Sequence, residues 1–167
     1  MAVSKKIIKY LASAKVKPEI IPHKIVYTAH DKAKTLRVLE KEIGKTLVLK
    51  FDGQVGFALI PANKNLDKGK FKKIVNHWRK KKGEKLVKTV NFAKENWMKK
   101  KLVGIKVGAI PPFGNLWKFP TFADRAILKN SKIIVSAGNY QESLKITPSN
   151  LKKLIPDLVS GTFSKKR

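Results

Sequence analysis

Cysteine is absent from the 167-residue chain, and acidic residues are scarce. Without a thiol the chain can form no disulfide, no thiolate nucleophile and no cysteine-ligated zinc site. No uncharged apolar stretch approaches the roughly 20 residues of a membrane-spanning helix, and the basic N-terminus lacks the apolar run of a signal peptide. We therefore expect a soluble, cytoplasmic protein with no membrane partner.

The shortage of acidic residues leaves a large excess of positive charge. Eleven Asp and Glu stand against 38 Lys and Arg, which gives a net charge of +27 and a sequence pI near 10.4. Because such an excess repels itself in a compact chain, a polyanionic partner is the natural explanation. Nucleic acid is favoured over an anionic membrane, since the charge is not confined to one amphipathic helix. A lysine-rich genome would explain part of the excess.

Familiar catalytic motifs are missing as well. The sequence contains neither the GxxxxGK[ST] of phosphate-binding loops nor a GxGxxG dinucleotide fingerprint, and it has no GxSxG nucleophile elbow. The three histidines, His23, His30 and His77, are scattered and have no carboxylate clusters beside them. We therefore expect no metal site and no cofactor. A Ser-His-Asp triad stays open, because its members need not be close in sequence.

Length and an apolar share of 43% predict one mixed α/β (α+β) domain, which we place at residues 1–160, followed by a frayed basic tail at 161–167. Apolar residues at helical spacing predict helices at 4–14, 28–42, 65–75 and 91–100, and a last helix from Thr147-Pro148. Gly44 is expected to end the second helix. The clearest β-signal is a hairpin, in which the runs 46–51 and 54–60 flank an Asp52-Gly53 turn.

Three features are candidates for chemistry. The segment GIKVGAIPPFG at 104–114 combines three glycines with a Pro-Pro pair, which excludes a regular helix and permits close approach of backbone to a ligand. A structural turn is the alternative interpretation. Lys45 begins the strand GKTLVL, where an ordinary surface lysine is equally expected. Asp124 is one of few acids, and a salt bridge with Arg125 or a neighbouring lysine is its simplest interpretation.

Taken in order, these features resemble the YbaK/ProX family of aminoacyl-tRNA editing domains over most of residues 24–155. The resemblance rests on Tyr27-Thr28-Ala29, Lys45-Thr46-Leu47, ALIPANKNLD at 58–67, the 104–114 loop, Phe119-Pro120-Thr121 with Asp124, IIVSAG at 133–138 and ITPSNL at 146–151. In the loop the family pattern GxxxGGxxPxG carries Ala109 at its second paired glycine.

The resemblance implies a mixed, largely antiparallel sheet surrounded by helices, with one active-site cleft. It also implies metal-independent hydrolysis of the ester between a wrong amino acid and tRNA, by a free-standing deacylase acting in trans. Mischarged tRNA is the expected partner, and an aminoacyl-tRNA synthetase is a second candidate. The residues expected to be catalytic are Lys45, which would contact the phosphate of the terminal nucleotide, Gly108 and Asp124. The residues expected to bind substrate are Thr28, Ala109, Ile110, Pro111, Pro112, Phe113, Gly114, Ser136 and Gly138.

Departures from the family pattern fall near this expected pocket. Ala109, Pro111 and Gly44 differ from the residues that the family favours. If Ala109 and Pro111 close the pocket, the chain is instead a non-catalytic basic tRNA- or RNA-binding protein on the same fold. The basic segment 68–101 is expected to follow the tRNA backbone, and the residues expected to contact it are Arg79, Lys80, Lys81 and Lys82.

Overall fold

The computed structural model describes residues 4–167, so residues 1–3 of the predicted domain lie outside it. Within this range six α-helices are formed: α1 (Lys5–Ser13), α2 (Ala29–Leu36), α3 (Lys68–Lys81), α4 (Glu95–Lys101), α5 (Arg125–Leu128) and α6 (Pro148–Leu154). The strands of the same range are β1 (Glu19–Pro22), β2 (Gly44–Phe51), β3 (Gln54–Pro61), β4 (Lys64–Leu66), β5 (Val90–Phe92), β6 (Thr121–Asp124), β7 (Ile133–Ser136), β8 (Glu142–Ile146), β9 (Val159–Gly161) and β10 (Ser164–Lys166). None of the described helices is long and apolar enough to cross a membrane.

The largest sheet has five strands in the order β5-β2-β3-β6-β9. Strands β2 and β3 form the predicted antiparallel hairpin, with Phe51 opposite Gln54, so Asp52-Gly53 makes the turn. Asp52 takes a left-handed conformation with φ of 55°. Its carboxylate accepts hydrogen bonds from the backbone N–H groups of Lys88 and Thr89. The hairpin turn is thereby fastened to the segment that leads into β5.

Two smaller sheets complete the fold. Strands β1, β8 and β7 form an antiparallel sheet, and a bridge between Ile43 and Ile134 connects it to the start of β2. Strand β10 pairs antiparallel with β4. Only the β3–β6 and β6–β9 pairs of the described strands are parallel. The predicted fold class, a mixed domain with a largely antiparallel sheet, is confirmed.

The two faces of the five-stranded sheet are covered by different elements. Helix α3 buries Phe71 and Val75 against the face that carries Leu49 and Phe51. On the opposite face Val48 packs against α4 and the aromatic residues that follow the 104–114 loop. Because neighbouring residues of a strand point to opposite faces, β2 supplies side chains to both cores.

Four predicted helix ends are wrong. Helix α3 continues to Lys81 instead of stopping at residue 75, and α4 begins only at Glu95, because residues 90–92 form β5. Helix α2 stops at Leu36, because Arg37 takes a left-handed conformation with φ of 56° and caps it. Gly44 does not end a helix but begins β2, where it is buried. A Cβ atom at Gly44 would lie 2.8 Å from Cδ1 of Leu59, so glycine is required there by packing between strands. Helix α3 also begins later than predicted, since Asp67 caps it by accepting from the backbone N–H of Lys70.

The prediction of a frayed tail at 161–167 is wrong. Phe163 is fully buried and packs edge-on against Phe71, and Ser164–Lys166 forms β10 on the edge of β4. Composition suggested fraying because the chain ends in a run of four polar residues, Ser-Lys-Lys-Arg. One buried aromatic ring is nevertheless enough to hold the segment against the domain. The C-terminus therefore returns to the body of the domain, and Arg167 lies near Lys45 and Glu40.

Candidate active site

A cavity of about 240 Å³ lies where four segments of the chain meet. These segments are the N-terminal end of α2, the start of β2, the middle of the 104–114 loop and the end of β7. The lining residues are Val26, Tyr27, Thr28, Ala29, Lys32, Ile43, Gly44, Lys45, Thr46, Leu47, Gly108, Ala109, Ile110, Ser136 and Asn139. No Asp or Glu is among them, whereas two are lysines, so the cavity suits an anionic or hydrogen-bond-accepting ligand.

The structure brings part of the predicted site together. Among the predicted residues those that line the cavity are Thr28, Lys45, Gly108, Ala109, Ile110 and Ser136. Those that do not line it are Pro111, Pro112, Phe113, Gly114, Asp124, Gly138 and the four basic residues at 79–82. Six of the predicted residues therefore meet at one cavity, whereas the Pro-Pro half of the loop lies outside its lining.

The glycine half of the loop is held against the end of β7 by main-chain contacts. The N–H of Gly138 donates to the carbonyl of Ala109 over 2.8 Å, and the N–H of Lys106 donates to the carbonyl of Gly138 over 2.9 Å. Gly108 and Gly138 both have positive φ, at 90° and 97°. A Cβ on Gly138 would in addition lie 2.8 Å from Cδ1 of Ile105. Glycine at these two positions lets the loop lie flat on the strand end and form one wall of the cavity.

The Pro-Pro half of the loop anchors this wall instead of lining it. Thr121 at the start of β6 donates its hydroxyl to the carbonyl of Pro112 over 3.0 Å and accepts from the N–H of Gly114 over 3.1 Å. Phe113 is fully buried in the core that α1 and α6 share. A Cβ on Gly114 would lie 2.6 Å from the Thr121 oxygen, so this close approach also requires glycine.

Neither unusual loop residue closes the cavity. Ala109 is buried and forms part of the wall, yet the cavity remains open beside its methyl group. Pro111 is buried outside the lining. Ala109 and Pro111 therefore leave room for a ligand in the cavity.

Lys45 is the second residue of β2 and is half-buried at the cavity. Burial lowers the pKa of its ammonium group, the nearby Arg167 guanidinium lowers it further, and Glu40 opposes both effects. Glu40 itself contacts His30 and Arg167. Between residues 4 and 167 Lys45 has no ion-pair partner within 4.0 Å. Its charge is therefore available to an anion that enters the cavity.

Lys32 is the residue of this cavity that sequence reasoning missed. It lies on α2, only 7% exposed, and its Nζ donates to Oγ of Ser136 over 3.1 Å. Burial lowers the pKa of its ammonium group from 10.5 to about 8. No carboxylate in the described part of the chain forms an ion pair with it. A buried cation whose observed hydrogen-bond partner is one neutral hydroxyl is costly, which makes Lys32 a candidate functional residue.

A signal for Lys32 was present in the sequence. It lies three residues after Ala29 and four before Leu36, inside the stripe that helical spacing assigns to the buried side. A lysine within an apolar stripe is unusual, but in a chain with this many lysines it did not stand out. Asn139 was missed as well; its side-chain oxygen accepts from the N–H groups of Gln141 and Glu142 and shapes the turn after β7.

Asp124, expected to be catalytic, instead has a structural position. It is 1% exposed and does not line the cavity. One carboxylate oxygen caps α5 through the N–H of Ala126, and the other accepts from the N–H groups of Phe163 and Ser164 at 2.9 and 2.7 Å. Asp124 also forms no ion pair with Arg125 within the described residues. Its carboxylate therefore fastens the C-terminal segment to the five-stranded sheet.

Replacement of Asp124 by asparagine is expected to destabilise the fold without changing the chemistry of the cavity. The amide keeps the shape but presents an NH₂ group to backbone N–H donors, so about 1.5–3 kcal/mol of unfolding free energy should be lost. Urea unfolding measures this change. If Asp124→Asn keeps full stability yet abolishes activity, the structural assignment is wrong.

The predicted tRNA-contacting residues lie away from the cavity at the C-terminal end of α3. Arg79 is engaged within the protein, because its guanidinium donates to the carbonyl of Lys85 and to the side chain of Gln54. The side chains of Lys80, Lys81 and Lys82 are exposed. Since Gln54 is at the hairpin end of β2 and β3, this group is about 20 Å along the sheet from Lys45.

The described residues contain no group of three or more His, Asp or Glu side chains that could hold a metal ion. A search of curated proteins found no significant match.

The domain is similar to solved structures over nearly its whole length. A hypothetical protein, APE2540, shares 22% identity and a TM-score of 0.79, covering 96% of this chain and 100% of its own. A proposed trans-editing enzyme for prolyl-tRNA synthetase shares 18% identity and a TM-score of 0.79, covering 98% and 99%. At these identities the similarity establishes a shared fold. The family model for the aminoacyl-tRNA editing domain matches residues 23–154, which include every residue of the cavity lining. The chain therefore belongs to the aminoacyl-tRNA editing domain family.

Proposed function

We propose that this protein is a trans-editing deacylase that hydrolyses the ester bond of a mischarged tRNA. The observation that carries the proposal is the cavity itself, in which Lys45, the 108–110 wall and the Lys32–Ser136 pair converge within an editing domain. An aminoacyl ester is already activated, so orientation and electrostatic stabilisation are sufficient catalysts.

In the proposed reaction a water molecule adds to the ester carbonyl carbon. The bond from that carbon to the ribose oxygen then breaks, and the free amino acid and the terminal ribose hydroxyl are released. Lys45 holds the phosphate of the terminal nucleotide as a point charge. The backbone of residues 108–110 forms the wall against which the acyl group is positioned. A terminal ribose hydroxyl assists in moving the proton, because the cavity lining contains no His and no carboxylate.

Lys32 supplies a second positive charge in this proposal. Its ammonium group, hydrogen-bonded to Ser136, stabilises negative charge that develops on the ester oxygen as water adds. A buried donor is effective there because the surrounding dielectric is low and the donor is already oriented. Lys32 acts in its protonated form, so it provides the positive charge without serving as a base.

The proposal is tested with a panel of mischarged tRNAs, each carrying one amino acid. At least one ester should be hydrolysed well above its rate in buffer, and the correctly charged species should be spared, because a cavity of limited size acts as a second sieve. If every ester decays at the buffer rate, the deacylase proposal is overturned.

A non-catalytic RNA-binding role on the same fold is the second candidate. The exposed Lys80, Lys81 and Lys82, remote from the cavity, favour it because they suit a nucleic-acid backbone whatever happens at the cavity. Binding of uncharged and charged tRNA with equal affinity, and no turnover of any ester, would support this role over the enzyme.

Under both functions we propose that these three lysines contact tRNA phosphates. Since each such contact releases counterions, tRNA affinity should fall steeply as salt is raised. In a plot of log affinity against log salt concentration, replacing all three by glutamine should make the negative slope shallower by roughly two to three. An unchanged slope would remove these lysines from the interface. A synthetase partner remains part of the proposal, to be tested by co-purification with and without tRNA.

A further inference from the structure

A second cleft, separate from the active-site cavity, lies at the hairpin end of the five-stranded sheet. Its volume is about 540 Å³, and its lining is Lys50, Asp52, Gly53, Val55, Trp97, Lys101, Trp117 and Phe119. It shares no residue with the lining of the active-site cavity. Lys50 is five residues along β2 from Lys45, which places the two sites about 17 Å apart along the strand.

The cleft combines aromatic rings with lysine side chains. Trp97, Trp117 and Phe119 pack against the core beneath them and are only partly buried. Trp97 and Lys101 are four residues apart on α4, so one face of this helix presents both a ring and an ammonium group. Two of the rings form cation–π contacts with lysine side chains. Nζ of Lys50 lies 5.1 Å from the Trp97 ring centre, and Nζ of Lys6 lies 4.9 Å from the Trp117 ring centre.

The electrostatics of the cleft favour an anion. Asp52 is the one acidic residue of its lining, and its carboxylate is occupied by the N–H groups of Lys88 and Thr89 and the Thr89 hydroxyl. These hydrogen bonds lower the pKa of Asp52, so it remains a fixed acceptor for its own loop. The positive charges of Lys50, Lys101 and the adjacent Lys6 outnumber the one negative charge of Asp52.

We propose that this cleft binds an unpaired nucleotide of an RNA strand. The base would stack on Trp97 in place of the Lys50 ammonium group that lies over this ring, and Lys50 and Lys101 would contact the flanking phosphates. Aromatic platforms combined with lysines are the arrangement by which proteins hold single strands without reading their sequence. The cleft does not depend on the deacylase proposal, because stacking and phosphate contacts need no ester.

The probe is a fluorescein-labelled single-stranded hexaadenylate, with binding followed by anisotropy and by quenching of tryptophan fluorescence. Replacement of Trp97 by leucine should weaken binding about tenfold and reduce the quenching, because one stacked base is lost. Replacement of Trp97 by phenylalanine should restore most of the affinity, since it keeps a ring. Lys101→Gln should weaken binding and lower the salt dependence.

Phe92→Leu is the matched control. Phe92 is 51% exposed and lies opposite Leu49 in the β2–β5 pair, so it is on the face that α3 covers, away from the cleft. The Phe92→Leu protein should bind hexaadenylate with an affinity within about twofold of that of the unchanged protein, since no stacking partner in the cleft is altered. The proposal is overturned if folded Trp97→Leu and Lys101→Gln proteins both bind as tightly as Phe92→Leu. It is equally overturned if a duplex competes as well as a single strand, or if anionic lipid vesicles quench Trp97 and RNA does not.

Discussion

Replacement of Lys32 by methionine is expected to make the protein more stable and less active. Methionine has nearly the length and volume of lysine but no charge, so it fits the same buried position. Burial lowers the pKa of Lys32 from 10.5 to about 8, which corresponds to a cost of about 3 kcal/mol for keeping the ammonium charged in the folded protein at pH 7. Removing that cost should raise the melting temperature by about 5–10 °C.

The stability gain should depend on pH in a defined direction. Between pH 8 and 10.5 the unfolded chain still carries the Lys32 proton while the folded chain has lost it, so raising the pH removes the burial cost from the unchanged protein. The difference in unfolding free energy between Lys32→Met and the unchanged protein should therefore be full below pH 8 and shrink as the pH rises toward 10.5. Urea unfolding at pH 7, 9 and 10 measures it.

The activity loss has a pH signature of its own. If the protonated Lys32 stabilises the ester oxygen, deacylation corrected for spontaneous hydrolysis should fall as the pH rises through about 8. In Lys32→Met this decline should disappear, and below pH 8 the rate should be about 100-fold lower than that of the unchanged protein, the scale of losing one such donor. Ser136→Ala should reduce the rate less, because it removes only the hydroxyl that orients Lys32.

Lys34→Met is the matched control, since Lys34 is exposed on the same helix. It should change neither the melting temperature nor the pH profile by an amount comparable with Lys32→Met. A Lys32→Met protein that is more stable and fully active would show that the buried charge has no catalytic role. A less stable protein would contradict the burial argument itself.

Replacement of Lys45 by alanine is expected to lower kcat/KM for a mischarged tRNA by about 10- to 100-fold, the scale of a lost hydrogen bond to a charged group. The phosphate that it is proposed to hold does not react, so the contact is equally strong before and during the reaction. The loss should therefore appear mainly in KM and only weakly in kcat. Steady-state kinetics over a range of tRNA concentrations separate the two.

The fold should survive this change. Lys45 is half-buried, lies at the start of β2 and has no ion-pair partner among the described residues. Lys41→Ala, which removes an exposed lysine four residues earlier, controls for general loss of positive charge and should leave KM within about twofold. Equal effects of the two substitutions would place Lys45 outside the site and reduce its role to long-range attraction.

Local sequence signals predicted much of the fold. The Asp52-Gly53 turn, the cap at Thr147 with Pro148 and the strand ending at Ser136 are all observed, because turn chemistry and caps act within a few residues. The end of α2 and the place of Gly44 were mispredicted for the opposite reason. A left-handed arginine ends the helix and a neighbouring strand requires the glycine, and neither cause is visible in the local pattern.

The candidate site divides in the same way. The sequence by itself determined a single basic domain, its family resemblance and the neighbourhood of the site, since charge, composition and the order of motifs are carried along the chain. Only the tertiary structure decided which side chains meet: it brings Lys32 from α2 to Ser136 at the end of β7 and directs Asp124 toward the backbone of the C-terminal segment. Contacts across about 100 and 40 residues of chain follow from sheet register and core packing, and no short pattern records them.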